Sequence, residues 1–147
     1  GFGGSSMSDV VGAYRYLVEP YDVSRFLIYE GDTESGRGMP EAFLRHARIF
    51  VERLAKDRPD ATIVFLTPKP SPRRFALWET TYKQANKGLE ALVSQYNNVH
   101  LIDVATPLFT ENGTLREELF KSDGVHLNEA GYKVWKAVIL PKLESIF

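Results

Sequence analysis

The sequence predicts an α/β protein built on a parallel sheet covered on both faces. Three observations carry that reading. Apolar runs of strand length recur at residues 25–29, 62–66 and 99–103. Stretches with apolar residues at helical spacing separate them, each long enough to cross over between parallel strands. The runs show little polar alternation, as strands buried on both faces do. Together these features describe a three-layer arrangement.

The elements follow in order. Residues 1–6, rich in glycine and serine, read as a flexible turn. Ser8 is then the expected helix N-cap, with Asp9 beside it at the positive end of the helix. Val10, Val11, Tyr14 and Leu17 or Val18 form a helical stripe that stops before Pro20. The first strand, 25–29, ends at Gly31. Pro40 opens a second helix, where proline suits the first turn. Its apolar face is Phe43, Ala47, Phe50, Val51, Leu54 and Ala55, and residues 57–60 end it. After the second strand, Pro68, Pro70 and Pro72 stiffen a loop. Trp78, Tyr82, Ala85, Leu89, Leu92 and Val93 mark a third helix, and the third strand follows. Residues 111–114 read as a turn. Asn128 is the expected cap of a last helix carrying Tyr132, Trp135, Val138 and Ile139, which Pro141 is expected to bend. The aromatic residues at helical spacing read as core.

Composition narrows the function. A chain of 147 residues suits one domain, expected to span 1–147. Lysine and arginine number 18 against 19 acidic residues, so no broad basic face for a nucleic-acid partner is expected. No apolar run approaches the roughly 20 residues of a membrane span. The chain has no cysteine, which rules out disulfides and thiolate metal sites. No phosphate loop or dinucleotide fingerprint is present. His46 and His100 lack metal-ligand spacing to another histidine.

The residues that can carry chemistry cluster near strand ends, where open parallel sheets collect their reactive groups. Asp123 and His126 stand three positions apart just before the last helix. Imidazole can take the proton of a nucleophilic hydroxyl, and a carboxylate can orient the ring and stabilise its cation. Gly3 and Gly4 either donate amides to a developing oxyanion or form an ordinary turn. Thr33, in the Gly31–Glu34 stretch, either offers a hydroxyl to the same oxyanion or belongs to a turn satisfying local amides. None of the nine serines lies in a Gly-x-Ser-x-Gly elbow. Ser5 and Ser6 are nearest to a site, with cap or turn roles favoured. Lys69, Arg73 and Arg74 read as the solvated face of a loop, with contact to an anionic substrate as the alternative.

Taken together, the motifs resemble those of a known family. Gly1-Phe-Gly-Gly-Ser5, Tyr29-Glu-Gly-Asp-Thr33-Glu34 and the run from Asp123 through His126 to Tyr132 look like the second, third and fifth sequence blocks of the SGNH hydrolases, the GDSL-like esterases and lipases. The segment from Val64 to Pro72, with Trp78 after it, resembles the stretch that bacterial members carry after their fourth strand. The resemblance implies a flavodoxin-like three-layer α/β/α sandwich. It also implies hydrolysis of a small-molecule ester substrate without a cofactor. By the same resemblance His126 matches the base and Asp123 the residue that orients it. Gly4, with Gly3 as the adjacent option, matches the oxyanion-hole glycine. Trp78 is expected to form part of the substrate wall.

The chain departs from the family pattern twice. The first block, Gly-Asp-Ser at the end of the family's first strand, is not in the sequence. By the resemblance it belongs upstream of Gly1, together with the first strands of the sheet. The chain alone is therefore expected to be inactive, since triad members act as a unit. Thr33 occupies the position of the family's asparagine, and losing one oxyanion donor lowers turnover by ~10²–10³. The edge of the first strand is expected to pair with an upstream fragment or with a second copy in a homodimer. The alternative to a hydrolase is a non-catalytic ligand-binding or assembly module with the same fold.

Overall fold

The computed structural model describes residues 3–147, and its sheet is parallel. Strand β1 is Arg25–Ile28, β2 is Thr62–Leu66 and β3 is Val99–Ile102, in the order β1-β2-β3. Register is set by Arg25 opposite Thr62 and by Ile63 opposite Val99. Successive side chains face opposite layers. Ile63 and Phe65 therefore enter one core, while Val64 and Leu66 enter the other.

The first core lies under α1 (Met7–Gly12), α4 (Pro40–Asp57) and α5 (Lys83–Val93). Helix α4 buries Phe43, Ala47, Phe50, Val51 and Leu54. Each large apolar side chain removed from water stabilises the fold by ~1.5–3 kcal/mol, so packing holds this helix more than propensity does. The second core lies under α6 (Glu129–Ile146), where Trp135 packs with Val104, Leu108 and Leu127. Helices thus cover both faces, as the spacing of apolar residues predicts.

Several local expectations need correction. Ser6, not Ser8, caps α1. Its hydroxyl accepts from the Asp9 amide, and the Asp9 carboxylate accepts from the Ser6 amide, a reciprocal capping box. The expected single helix breaks at Ala13 into α1 and a one-turn α2, Tyr14–Leu17. Gly1 and Phe2 of the expected opening turn lie outside the described residues, while Gly3 and Gly4 do form a turn. The Gly31–Glu34 stretch is not a plain turn but the start of a short helix, α3, Asp32–Gly36.

The region around Trp78 is also richer than one helix. A 3₁₀ turn at Pro72–Leu77 runs into a π-helical turn at Trp78–Tyr82 before α5 begins. The wide turn sets the Thr81 hydroxyl on the Ser35 carbonyl and the Tyr82 hydroxyl on the Asp32 carbonyl. Asn128 caps α6 as expected, its side chain accepting from the Gly131 amide at 3.1 Å. Helix α6 continues through Pro141 to Ile146.

Candidate active site

A cleft of about 450 Å³ opens at the carboxyl ends of β1 and β2. Three segments meet there: the glycine turn before α1, the β1–α3 junction, and the loop that leads into α6. Gly3, Gly4, Thr33 and His126 all line it. The residues singled out by sequence thus come together, with two exceptions of placement.

Asp123 stands behind the ring instead of lining the cleft. Its Oδ2 lies 2.7 Å from His126 Nδ1, and its Oδ1 accepts from the amides of Val125 at 2.8 Å and His126 at 3.0 Å. The Val125 amide, then the imidazole and the His126 amide, hold this carboxyl well below the ordinary carboxylate range. An ionised carboxylate only accepts, so Nδ1 carries the hydrogen, and in the neutral ring the lone pair is on Nε2. A ring held this way can take a proton at Nε2.

Trp78 is the second exception. It packs with Tyr82 and Ala105, tilted against Phe109 at a ring separation of 5.3 Å. It borders two other clefts, of about 410 and 560 Å³.

The glycine turn is tied to the β1–α3 junction at two points. Ser5 Oγ donates to Glu30 Oε1 at 2.9 Å, and the Met7 amide donates to the buried Glu34 Oε1 at 2.7 Å. Burial is the main reason the Glu30 carboxyl is pushed up from its usual value. Gly4 has φ +75°, a conformation that favours glycine. Gly31, at φ +106°, starts α3, and a Cβ there would stand 2.7 Å from Pro68 Cγ.

Lys69 corrects the sequence reading most sharply. It is only 5% exposed, and its ammonium donates to Asp32 Oδ2 at 3.1 Å and to the Val125 carbonyl at 2.8 Å. Arg74 lines the cleft and donates to the Asp32 carbonyl, while the Arg73 amide donates to the Gly124 carbonyl. The Pro68–Arg74 loop is therefore a strap with Lys69 turned inward, and of its three cations only Arg73 keeps an exposed side chain. The aromatic wall also differs from a purely core role. Tyr29, Tyr132 and Trp135 line the cleft, with Tyr29 edge-on to Trp135 at 4.9 Å. Sequence spacing alone carried no sign of this, because core and cleft aromatics share one helical period.

Among the described residues no group of three His, Asp or Glu side chains is placed to hold a metal ion. Among them, too, no helix is long and apolar enough to cross a membrane.

Residues 4–134 match the family model described as GDSL-like lipase/acylhydrolase. Several solved structures share the fold. A carbohydrate esterase family 3 protein from Talaromyces cellulolyticus superposes with a TM-score of 0.80 at 17% identity, over 97% of this chain and 68% of that one. A GDSL-like lipase from Bacteroides thetaiotaomicron gives 0.78 at 19% identity, over 98% and 73%. The OSK domain of Drosophila Oskar gives 0.77 at 14% identity, over 96% and 71%. No curated protein sequence matches the chain.

Proposed function

Because the chain belongs to the GDSL-like lipase/acylhydrolase family, we propose that its cleft is acyl-transfer machinery of a carboxylic-ester hydrolase using a serine–histidine–aspartate mechanism. His126 is the base. Its Nε2 takes the proton of the attacking hydroxyl and returns it to the leaving alcohol. Asp123 fixes the ring through Nδ1 and stabilises the imidazolium. The Gly4 amide and the Thr33 hydroxyl donate to the oxyanion. Trp78 contributes a substrate wall only for a ligand long enough to reach the clefts it borders. The observation that carries this reading is the shared cleft: Gly4, Thr33 and His126 line it together, with the ring already tied to Asp123.

The attacking hydroxyl is not one of the chain's own serines in this proposal. Among the described residues Ser5 is the serine that lines the cleft, and its hydroxyl is committed to Glu30. The chain alone therefore hydrolyses p-nitrophenyl acetate at the background rate, and His126→Ala leaves that rate unchanged. A rate above background that His126→Ala abolishes contradicts this half of the proposal. A second reading, a ligand-binding or assembly module without catalysis, is favoured by Thr33 in place of asparagine and by the Ser5–Glu30 bond.

The sheet supports a proposal about partners. Among the described residues β1 pairs only with β2, and Leu27 on it is exposed. We propose that this free edge takes a further strand, from a second copy or another polypeptide segment. Light scattering that shows a monomer, with an intact mass showing no added peptide, counts against it.

A further inference from the structure

The strap after β2 reaches both halves of the cleft through one side chain. Lys69 touches Asp32, which adjoins Thr33, and the carbonyl of Val125, which adjoins His126. Asp32 Oδ2 also accepts from the Tyr29 hydroxyl at 2.7 Å. Tyr82 and Arg74 both donate to the Asp32 carbonyl, which fixes the backbone that carries this carboxylate. The ammonium stands 5.8 Å from the centre of the Phe120 ring. A second tie, from the Arg73 amide to the Gly124 carbonyl, fastens the same loop one residue earlier.

The Val125 carbonyl is well placed to transmit order to the ring. The His126 amide, in the same planar peptide unit as that carbonyl, donates to Asp123 Oδ1, and Asp123 Oδ2 meets His126 Nδ1. Fixing the Val125 peptide therefore fixes both the carboxylate and the imidazole. A surface lysine would contribute little here, because solvent screens it and its long side chain resists ordering. A buried ammonium with two oxygen partners has neither drawback.

From this geometry we propose that Lys69 is a positioning residue for the proposed hydrolase site. It holds the loop carrying His126 at a set distance from the Thr33 helix, and although it borders the cleft its ammonium is engaged by Asp32 and the Val125 carbonyl. The inference rests on the reading of His126 as the base.

The test uses nuclear magnetic resonance of the whole chain and needs no turnover. Lys69→Met alone strands the partly buried Asp32 carboxylate, so the informative variant is Lys69→Met with Asp32→Asn, which removes both charges together. In the unmodified chain the Val125 and His126 amides have order parameters near ~0.85, and the neutral ring shows the Nδ1–H tautomer. In a folded double variant the order parameters fall below ~0.6 and the ring loses its single tautomer. A role in stability alone would lower the unfolding midpoint and leave both signals in place, and that result overturns the proposal. Should the double variant fail to fold, the unmodified chain still decides. The Lys69 ammonium must then give a slowly exchanging resonance at neutral pH, and its absence overturns the proposal. If the unmodified ring lacks the Nδ1–H tautomer, the reading of His126 fails instead, independently of Lys69.

Discussion

Gly31 and Asp123 show how single residues set this site. Gly31 combines φ +106° with a space that Pro68 and Phe43 close to any added carbon. Gly31→Ala then adds left-handed strain of ~1–2 kcal/mol to overpacking of ~1–3 kcal/mol. Urea unfolding is expected to register a loss of at least about 2 kcal/mol, and a neutral result would show that the α3 start can relax. Asp123 makes a prediction about pH. Its folded value lies below its unfolded value, so its contribution is present above the ordinary carboxylate range and is lost as pH falls through the folded value. Its carboxyl carbon should remain in the ionised state at about pH 3, below the ordinary aspartate value. A midpoint near the model-peptide value of 3.8 would contradict the bonds drawn to Val125 and His126. The Asp123–His126 contact was legible in the sequence because its partners are three residues apart. The Lys69–Asp32 pair, 37 residues apart, was not, since a lysine between prolines looks the same whether solvated or buried.

Elements follow the same division. The apolar runs and helical stripes foretold β1 to β3, α4, α5 and α6 because period and burial agree there. The segments that bend around the cleft were harder to read, since their shape comes from distant hydrogen bonds. Helix α3 is pinned by Glu34 to the Met7 amide and by Ser35 to Thr81, neither of which leaves a local pattern. The cap of α1 fell two residues earlier than expected because serine stands at positions 5, 6 and 8, and only Ser6 has the acidic residue three positions on. Ser6→Ala should cost about 1 kcal/mol in denaturant unfolding, and an unchanged midpoint would show that α1 does not depend on its cap. The packing of α2 on α4 gives a second test. Tyr14 is buried edge-on to Phe50 with Arg53 over its ring. Burial, aided by Asp57, pushes its phenol up to about 12. The neutral phenol's contribution is thus complete below the ordinary value of 10.0 and is lost as pH rises through the folded one. An absorbance titration in which Tyr14→Phe removes no late-ionising phenol would contradict that packing.

At the scale of the whole molecule, three segments distant in sequence converge at one end of a parallel sheet. The glycine turn reaches the β1–α3 junction through Ser5 and Met7, and the junction reaches the His126 loop through Lys69. The family resemblance named the chemical residues, but the ties between them emerge only from the fold. Orientation of the imidazole is the feature on which the hydrolase reading depends, because a base must present Nε2 to the cleft. Long-range ¹H–¹⁵N spectra of His126, recorded where the ring is neutral, measure that orientation most directly. With Asp123 bonded at Nδ1, the neutral ring carries its hydrogen there and leaves the Nε2 lone pair free. Hydrogen on Nε2 with Nδ1 bare, or an even mixture of the two forms, would contradict it.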